Sequence, residues 1–343
     1  MTTRMNEEIR EQPEVLGRVL DEGWTPVLSA ARALRGRGFR SVMLVARGTS
    51  DNAAHYAKYL FEVILGVPAA LASPSVFTLY ESRIKLDGVL VIGVSQSGES
   101  KDVLETVRRS RELGASTLSI TNDEDSPLAR AAEFHFFLRA GREESVAETK
   151  TYTAELLLSY LLVAALNGEE APGEDARKLP DAAREILGSG WEGTDRYRYA
   201  DHLLVASRGY NLATAQEAAL KLMETSYVAA QSFSVADLRH GPIAMIGQDF
   251  PVMAIVPPGK ARPAITSLVE NLDDRGAEVA VISDDGAQTG RAAVRFLVPR
   301  PCPEELSPIL YAIPPQMLAE NLARLKGLDP DAPRGLSKVT ETW

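Results

Sequence analysis

The amino-acid sequence predicts an α/β protein with two tandem, doubly wound parallel-sheet domains that form a pseudo-repeat. Apolar runs of strand length show little alternation of polar and apolar residues, which is typical of parallel strands covered on both faces. Segments with apolar residues at helical spacing separate these runs, and this alternation predicts helices on both sides of a parallel sheet. The same motifs recur in order about 160 residues later, a period far longer than that of a solenoid.

The predicted elements follow one another as such a fold requires. The first half is predicted to hold helices at 52–65 and 101–113 and strands at 41–46, 89–94, 116–121 and 134–137. An apolar helix surface at 152–166 could pack inside this half or bind a second chain. The second half is predicted to hold helices at 180–187, 212–227 and 263–275 and strands at 203–207, 252–256, 278–283 and 295–298.

Length and composition suggest how these elements are grouped. The chain has 343 residues, 45% of them hydrophobic, which is enough for about two globular domains. A polar stretch with Gly and Pro at 168–175 is the best linker candidate. We expect an N-terminal helical segment, a first domain, a linker, a second domain and a C-terminal tail, at 1–34, 35–167, 168–194, 195–326 and 327–343.

Charge and cysteine content argue against several classes of protein. The net charge of −10 argues against an extended nucleic-acid surface, and the single cysteine, Cys302, excludes an internal disulfide and a Cys-based zinc site. The polar N-terminus lacks the apolar core of a signal peptide, and no apolar run approaches the ~18 residues of a membrane span. We therefore expect a cytoplasmic protein that binds neither nucleic acid nor a membrane.

A hydroxyl-rich loop directly after the strand at 89–94 is the strongest functional signal. Ser95, Gln96, Ser97 and Ser100 lie between a predicted strand and a predicted helix, where backbone N–H groups and the positive end of the helix point together. The chain lacks the lysine-containing loop of nucleotide-binding proteins, so these neutral donors favour a sugar phosphate. Simple N-capping is the alternative, although three hydroxyls and an amide exceed what capping needs.

The second copy of the repeat lacks this cradle. Pro257, Pro258, Gly259 and Lys260 stand where the first copy has its serines. The sequence therefore predicts one phosphate site per chain, in the first half.

The same motifs carry a family resemblance. The chain resembles the double sugar-isomerase (SIS) domain proteins, and most closely the isomerase half of glucosamine-6-phosphate synthase. The resemblance extends from residue 8 to the C-terminal tail, through the motifs at 48–50, 95–100, 217–224 and 240–242. It implies flavodoxin-like SIS domains, a C-terminal tail over the site, and a homodimer with shared active sites in which the neighbouring chain donates His240.

The resemblance also implies a role for each site residue. It implies that the substrate phosphate is held by Ser50, Ser95, Gln96, Ser97 and Ser100, and that Gly48 and Thr49 belong to the same substrate-binding set. It implies proton transfer by Glu224, ring opening by His240, and a Schiff-base or ammonium role for Lys338. Val146 and Ala147, with Thr49 and Ser50, could support the enediol-type intermediate electrostatically. No metal or cofactor is expected.

Three of these assignments have alternatives that the sequence leaves open. Glu217, Lys221 and Glu224 share one stripe of an otherwise Ala- and Leu-rich helix, where Glu224 could act as a base, but such pairs are often solvated. His240 could be a structural or exposed histidine, as we expect of His55 and His202. A lysine near a chain end, such as Lys338, usually lies in solvent.

The predicted reaction is the conversion of glucosamine 6-phosphate to fructose 6-phosphate and ammonia. The chain begins at the isomerase part, so we expect no glutaminase activity. Glu148 stands where the synthase has a serine and could bind an amine, or it could face solvent or Lys150. The alternative functions are a deglycase or isomerase of a fructosamine-type phosphate, and a non-catalytic sugar-phosphate sensor.

Overall fold

The computed structural model describes residues 2–290, 292 and 294–338, which form two compact units that do not follow chain order. The first unit comprises residues 14–143, 150–177 and 337–338. The second comprises residues 2–13, 144–149 and 178–336. The predicted C-terminal tail continues into residues 339–343, which lie outside the described part.

Each unit is built on a five-stranded sheet in which every pair of neighbouring strands is parallel. The strand orders are β2-β1-β3-β4-β5 in the first unit and β10-β9-β8-β6-β7 in the second. The strands are β1 Ser41–Val45, β2 Ala69–Leu71, β3 Val89–Val94, β4 Ser116–Thr121, β5 Phe134–Phe137, β6 His202–Ser207, β7 Ala229–Ser234, β8 Pro251–Val256, β9 Glu278–Ser283 and β10 Val294–Leu297.

Helices connect these strands. They are α1 Arg4–Arg10, α2 Gln12–Arg37, α3 Gly48–Ile64, α4 Ser75–Thr78, α5 Lys101–Glu112, α6 Pro127–Ala131, α7 Lys150–Leu166, α8 Glu174–Arg177, α9 Leu179–Gly188, α10 Leu212–Ser226, α11 Val235–Arg239, α12 Arg262–Asp274, α13 Gly286–Thr289, α14 Ser307–Tyr311 and α15 Ile313–Leu325. Within the described residues, no helix combines the length and apolar character needed to cross a membrane.

The two sheets confirm the predicted fold class and the pseudo-repeat. Counted separately, the strands of each unit have the order 2-1-3-4-5, which is that of a flavodoxin-like doubly wound sheet. In such sheets the chain changes direction between the first and third strands, and ligands bind beside their carboxyl ends. In the first unit this position lies after β1 and β3.

The predicted strands and long helices were placed correctly to within one or two residues, apart from the start of α3. The sequence placed that start at Asn52, but the helix begins at Gly48, directly after the N-cap Arg47. Residues 48–51 are mostly polar and carry no apolar periodicity, so the pattern could not mark this first turn. β2 and β7 were missed because they are short or only partly buried.

The apolar helix predicted at 152–166 packs inside the first unit. It corresponds to α7, in which every residue except Tyr160 is buried. A helix that is apolar on all sides is expected to be enclosed by its own domain. This outcome resolves the alternative left open by the sequence in favour of internal packing.

The core of the first unit fixes the serine loop between β3 and α5. Val91, Val103, Val107 and Leu128 belong to one buried cluster that joins β3, α5 and α6. β3 is buried along most of its length, and its last residue, Val94, leads directly into the loop. The loop therefore leaves a rigid strand and enters a helix packed on that same strand.

Candidate functional site

The serine loop and the start of α3 lie at the switch point of the first sheet. β1 leads into Gly48, Thr49 and Ser50, whereas β3 leads into the loop at 95–100. β1 and β3 are neighbouring parallel strands, so both segments emerge at the same edge of the sheet. The structure thus brings the two predicted phosphate-binding segments side by side.

The loop at 95–100 is organised by its own hydroxyl groups. The Ser95 Oγ lies 3.4 Å from the Ser100 Oγ and accepts the Gly98 N–H at 3.2 Å. The Ser97 Oγ accepts the N–H of Glu99 at 3.2 Å. Ser95 is buried, whereas Gln96, Ser97 and Ser100 are partly exposed.

N-capping does not account for these serines. Ser100 is the N-cap residue of α5, but its side chain makes no capping hydrogen bond within the described part of the chain. The N–H groups in the first turn of a helix lack partners inside the helix and attract anions. The start of α5 therefore keeps the donors that a phosphate would use.

Gly98 allows the loop to turn closely against α6. Its φ is +66°, and a Cβ atom at this position would collide with the Ser126 side chain. The Gly98 carbonyl also accepts the N–H of Leu128 at 3.1 Å. Only glycine combines this backbone conformation with so close an approach.

The Ser50 hydroxyl, unlike those of the serine loop, is hydrogen-bonded to a carboxylate. It is buried in the first turn of α3, and its hydroxyl donates to the Glu155 Oε1 at 2.8 Å. Its hydroxyl proton is therefore used inside the unit, and Glu155 is a site neighbour that the sequence reasoning missed. A phosphate would meet this turn through backbone N–H groups, helped by the positive end of the helix.

The corresponding loop of the second unit already holds a carboxylate. The Glu304 side chain accepts the N–H of Lys260 at 2.6 Å and that of Ala261 at 3.2 Å. It packs so closely on Gly259 that a Cβ atom there would collide with it. The second copy has therefore lost the serines, and the chain's own carboxylate occupies its amide donors.

Helix α10 carries a buried lysine between two carboxylates. The Lys221 Nζ lies 2.6 Å from the Glu224 Oε2 and 3.3 Å from the Glu217 Oε1. The Lys221 side chain is fully buried, and that of Glu224 is 22% exposed. Burial alone would lower the pKa of Lys221, but the negative charges of Glu217, Glu224 and Glu148 raise it above its usual value. The solvated-pair alternative is therefore wrong for Lys221 and Glu217.

The segment at 144–149 belongs to the same unit as this cluster. The Glu8 carboxylate accepts the N–H of Ser145 at 3.1 Å, and the Gln316 side chain donates to the Thr149 carbonyl at 3.3 Å. Between these anchors, Ala147 is buried, and Val146 and Glu148 are partly buried. One oxygen of Glu148 is inaccessible to solvent, and its charge acts on Lys221.

His240 occupies an exposed turn of the second unit. It follows α11 directly, its N–H donates to the Asp237 carbonyl at 3.0 Å, and Gly241 has a φ of +148°. The imidazole is therefore accessible on the surface of a single chain.

Lys338 belongs to the first unit and is paired with a buried glutamate. Its Nζ lies 3.7 Å from the Glu143 Oε2, and its side chain is 26% exposed. Glu143 also accepts the Lys150 N–H at 2.9 Å and the Thr151 hydroxyl. Glu143 is a second neighbour that sequence reasoning missed, because its burial depends on tertiary packing.

The predicted site residues fall into two groups, one in each unit. The first unit carries the phosphate-loop residues and Lys338, and the second carries Glu217, Lys221, Glu224, His240 and the segment at 146–148. Among the described residues, no cluster of three or more His, Cys, Asp or Glu side chains could hold a metal ion.

Comparisons with known proteins find relatives along nearly the whole chain. The SIS domain model matches residues 38–165 and 197–325. A glutamine–fructose-6-phosphate aminotransferase (isomerizing) of Xylella fastidiosa strain Temecula1 is 34% identical over 97% of this chain. The chain spans only 58% of that relative's length.

Solved structures extend this likeness to the fold. A candidate phosphosugar isomerase of Silicibacter pomeroyi is 32% identical, with a TM-score of 0.88 over 96% of this chain and 100% of that one. A glucosamine-6-phosphate deaminase of Thermotoga maritima shares the fold at 21% identity, with a TM-score of 0.79 over 99% of this chain and 100% of that one.

Proposed function

We propose that this chain, which belongs to the SIS domain family, is a phosphosugar isomerase and converts glucosamine 6-phosphate to fructose 6-phosphate and ammonia. The observation that carries this proposal is the serine cradle at the switch point of the first sheet, together with the buried Lys221 between two carboxylates. The cradle accounts for a phosphate, and the cluster accounts for proton transfer.

The cradle is the anchor for the sugar phosphate. Ser95, Ser97 and Ser100 offer hydroxyls, and the first turns of α3 and α5 offer backbone N–H groups. Anchoring the phosphate fixes the far end of a hexose, and this is catalysis by positioning. A nucleotide is disfavoured because the loop has no lysine to reach a second or third phosphate.

Glu224 is the proposed base. It is the most exposed carboxylate of the pair around Lys221, so a substrate carbon can approach it, while Lys221 holds its orientation. After His240 has moved a proton to open the sugar ring, Glu224 takes the proton from C2, exchanges it with solvent, and delivers a proton to C1. The product is a 2-imine, and water converts it to the ketose and ammonia.

Lys338 is proposed to stabilise the open-chain sugar. Its amine belongs to a tail segment of the first unit and is held near Glu143. As an ammonium it can hydrogen-bond the sugar oxygens, and as a free amine it can form an imine with the carbonyl carbon.

Glu148 favours an amine-bearing substrate. It is partly buried, and its charge acts on Lys221 in the same unit as Glu224. A carboxylate at this position attracts a protonated amine more strongly than a neutral hydroxyl. The same chemistry suits a fructosamine-type phosphate, which is the second candidate substrate.

Two assays test this proposal. The wild-type protein should release ammonia from glucosamine 6-phosphate, and unphosphorylated glucosamine should react far more slowly. Fructosamine 6-phosphate is assayed in parallel, and faster turnover of this compound than of glucosamine 6-phosphate would favour the second candidate substrate. Absence of turnover with both phosphates, together with tight binding of sugar phosphate, would instead favour the sensor.

We also propose that the protein acts as a homodimer in which His240 serves the neighbouring chain. Its exposure on the single chain supports this arrangement. Mixing inactive H240A and E224Q proteins should restore activity, because one site of the mixed dimer has both intact residues. If His240 serves its own chain, every site in the mixture keeps one defect and activity stays absent.

A further inference from the structure

Arg47 lies beside the serine cradle, although it belongs to none of the predicted phosphate motifs. It is the N-cap residue of α3 and directly precedes Gly48. Its guanidinium reaches across to α5, where its Nε donates to the Asp102 Oδ2 at 2.6 Å. Asp102 is two residues past Ser100, so this ion pair joins the starts of the two helices that form the cradle.

The two side chains of this ion pair differ strongly in their exposure to solvent. The Asp102 side chain is 1% exposed, whereas that of Arg47 is 50% exposed. Asp102 also accepts the Val103 N–H at 2.9 Å, which fixes the carboxylate against the helix. The buried carboxylate of Asp102 therefore fixes the position of the Arg47 guanidinium.

The outer edge of Arg47 remains available for a ligand. A guanidinium has five N–H donors, and the bond to Asp102 uses only the one on Nε. Its two terminal nitrogens make no hydrogen bond or ion pair with any residue that the structure describes. Asp51 lies near enough for the Arg47 charge to counter the rise that burial causes in the Asp51 pKa.

A phosphate in the cradle would benefit from this cation. The donors of the loop at 95–100 are neutral, and the only charged side chain in that loop is the exposed Glu99. A phosphomonoester carries close to two negative charges at neutral pH, and charge-assisted hydrogen bonds from arginine are stronger than neutral ones. The planar fork of arginine also fits two phosphate oxygens at once.

We propose that Arg47 is the cationic element of the phosphate cradle, with Asp102 as its positioning residue. This inference rests on the proposed function, because it assigns a further binding residue to the same phosphate. It changes the view taken from the sequence, in which neutral donors alone bind the phosphate.

The second copy of the repeat supplies a matched control. Arg208 stands at the position of Arg47, directly before Gly209. In the described part of the chain Arg208 has no ion-pair partner, and Glu304 already occupies the donors of the adjacent loop. Arg208 is therefore an arginine in the same local context without a phosphate cradle.

Calorimetric titration with inorganic phosphate and with fructose 6-phosphate tests the proposal. R47A should weaken both by the same factor, about 10- to 100-fold, as expected for a hydrogen bond to a charged group. R47K should lose most of this affinity as well, because an ammonium lacks the planar fork that can bond Asp102 and two phosphate oxygens at once. R208A should bind both as the wild type does.

Two controls separate a binding role from a structural one. The loss of activity in R47A should be much larger with glucosamine 6-phosphate than with unphosphorylated glucosamine, because the lost contact is to the phosphate. If R47A does not fold, R47K decides, since it keeps a cation beside Asp102.

The outcomes distinguish the inference from the proposed function. Wild-type affinity for both probes in R47A, or in R47K if that variant decides, overturns the inference alone. An equal loss with the phosphorylated and the unphosphorylated sugar also overturns it, because the effect would then be structural. Absence of sugar-phosphate binding in the wild type overturns the proposed function itself.

Discussion

Replacing Lys221 with methionine tests whether the charged cluster of α10 is a buried unit. The Nζ atom lies 2.6 Å from the Glu224 Oε2 and 3.3 Å from the Glu217 Oε1. Methionine fills a similar volume but removes the positive charge. The carboxylate of Glu217, which is 2% exposed, would then lose this cation.

The expected loss of stability follows from this burial. Removing one partner of a buried ion pair costs about 3–5 kcal/mol, because the other charge stays buried and uncompensated. An exposed pair of similar spacing contributes about 0–1 kcal/mol. Lys58 and Glu62 form a pair at 2.6 Å whose side chains are partly exposed, at 30% and 35%, so its contribution should lie near this range. K58M is therefore the matched control.

Urea unfolding at neutral pH measures both effects. K221M should lower the free energy of unfolding by about 3–5 kcal/mol and K58M by less than about 1 kcal/mol. A loss of less than about 1 kcal/mol in K221M would refute the reasoning, since it would mean that the cluster is solvated. Adding E217Q to K221M should recover part of the loss, because the uncompensated buried charge is removed.

Alkaline pH offers a second test of the same pair. The pKa of Lys221 is raised by its carboxylates above its ordinary 10.5, although burial alone would lower it. Its stabilising contribution is therefore complete below pH 10.5 and is lost as the pH rises toward the pKa of the folded state. This alkaline loss should be absent from K221M.

Three further predictions concern the loops and the core. G98A should lower both stability and phosphate affinity, because it adds a collision with Ser126 to the strain of a positive φ. G141A is the control, because Gly141 has a φ of +70° with open space around it and should incur only the backbone strain. Melting temperatures and phosphate titrations compare the two variants, and equal effects would contradict this prediction. E304A should lower the free energy of unfolding by about 1.5–3 kcal/mol, the contribution of one hydrogen bond to a charged group, because one of the two bonds that it removes is exposed to solvent. An unchanged urea midpoint would contradict this. Burial lowers the pKa of His55 below 6.5, so the unfolded chain binds more protons and stability should fall as the pH drops below 6.5. H55Q should reduce this fall in melting temperature between pH 7 and 5. An unchanged pH dependence of the melting temperature would contradict the prediction.

Most of the fold could be read from the sequence because parallel strands carry a strong local signal. β3 and β9 are mostly apolar along their length, and their limits were predicted correctly. β7 could not be recognised, because only one of its six residues is buried. The first turn of α3 was also missed, since residues 48–51 are mostly polar and carry no apolar periodicity.

The candidate site was predicted only as far as its motifs extend. The serine loop and the Glu217–Lys221–Glu224 stripe were found because each is contiguous or has helical spacing. Arg47 and Asp102 are 55 positions apart, and only the pairing of β1 with β3 brings them together. No local pattern predicts such a contact.

Solvent exchange at the sugar carbons tests the central claim most directly. With glucosamine 6-phosphate in heavy water, the wild-type protein should incorporate deuterium at C1 or C2, as followed by NMR, and should release ammonia. E224Q should bind fructose 6-phosphate with an affinity close to that of the wild type and should show neither exchange nor ammonia release. Exchange by E224Q at the wild-type rate would contradict the role of Glu224 as the base.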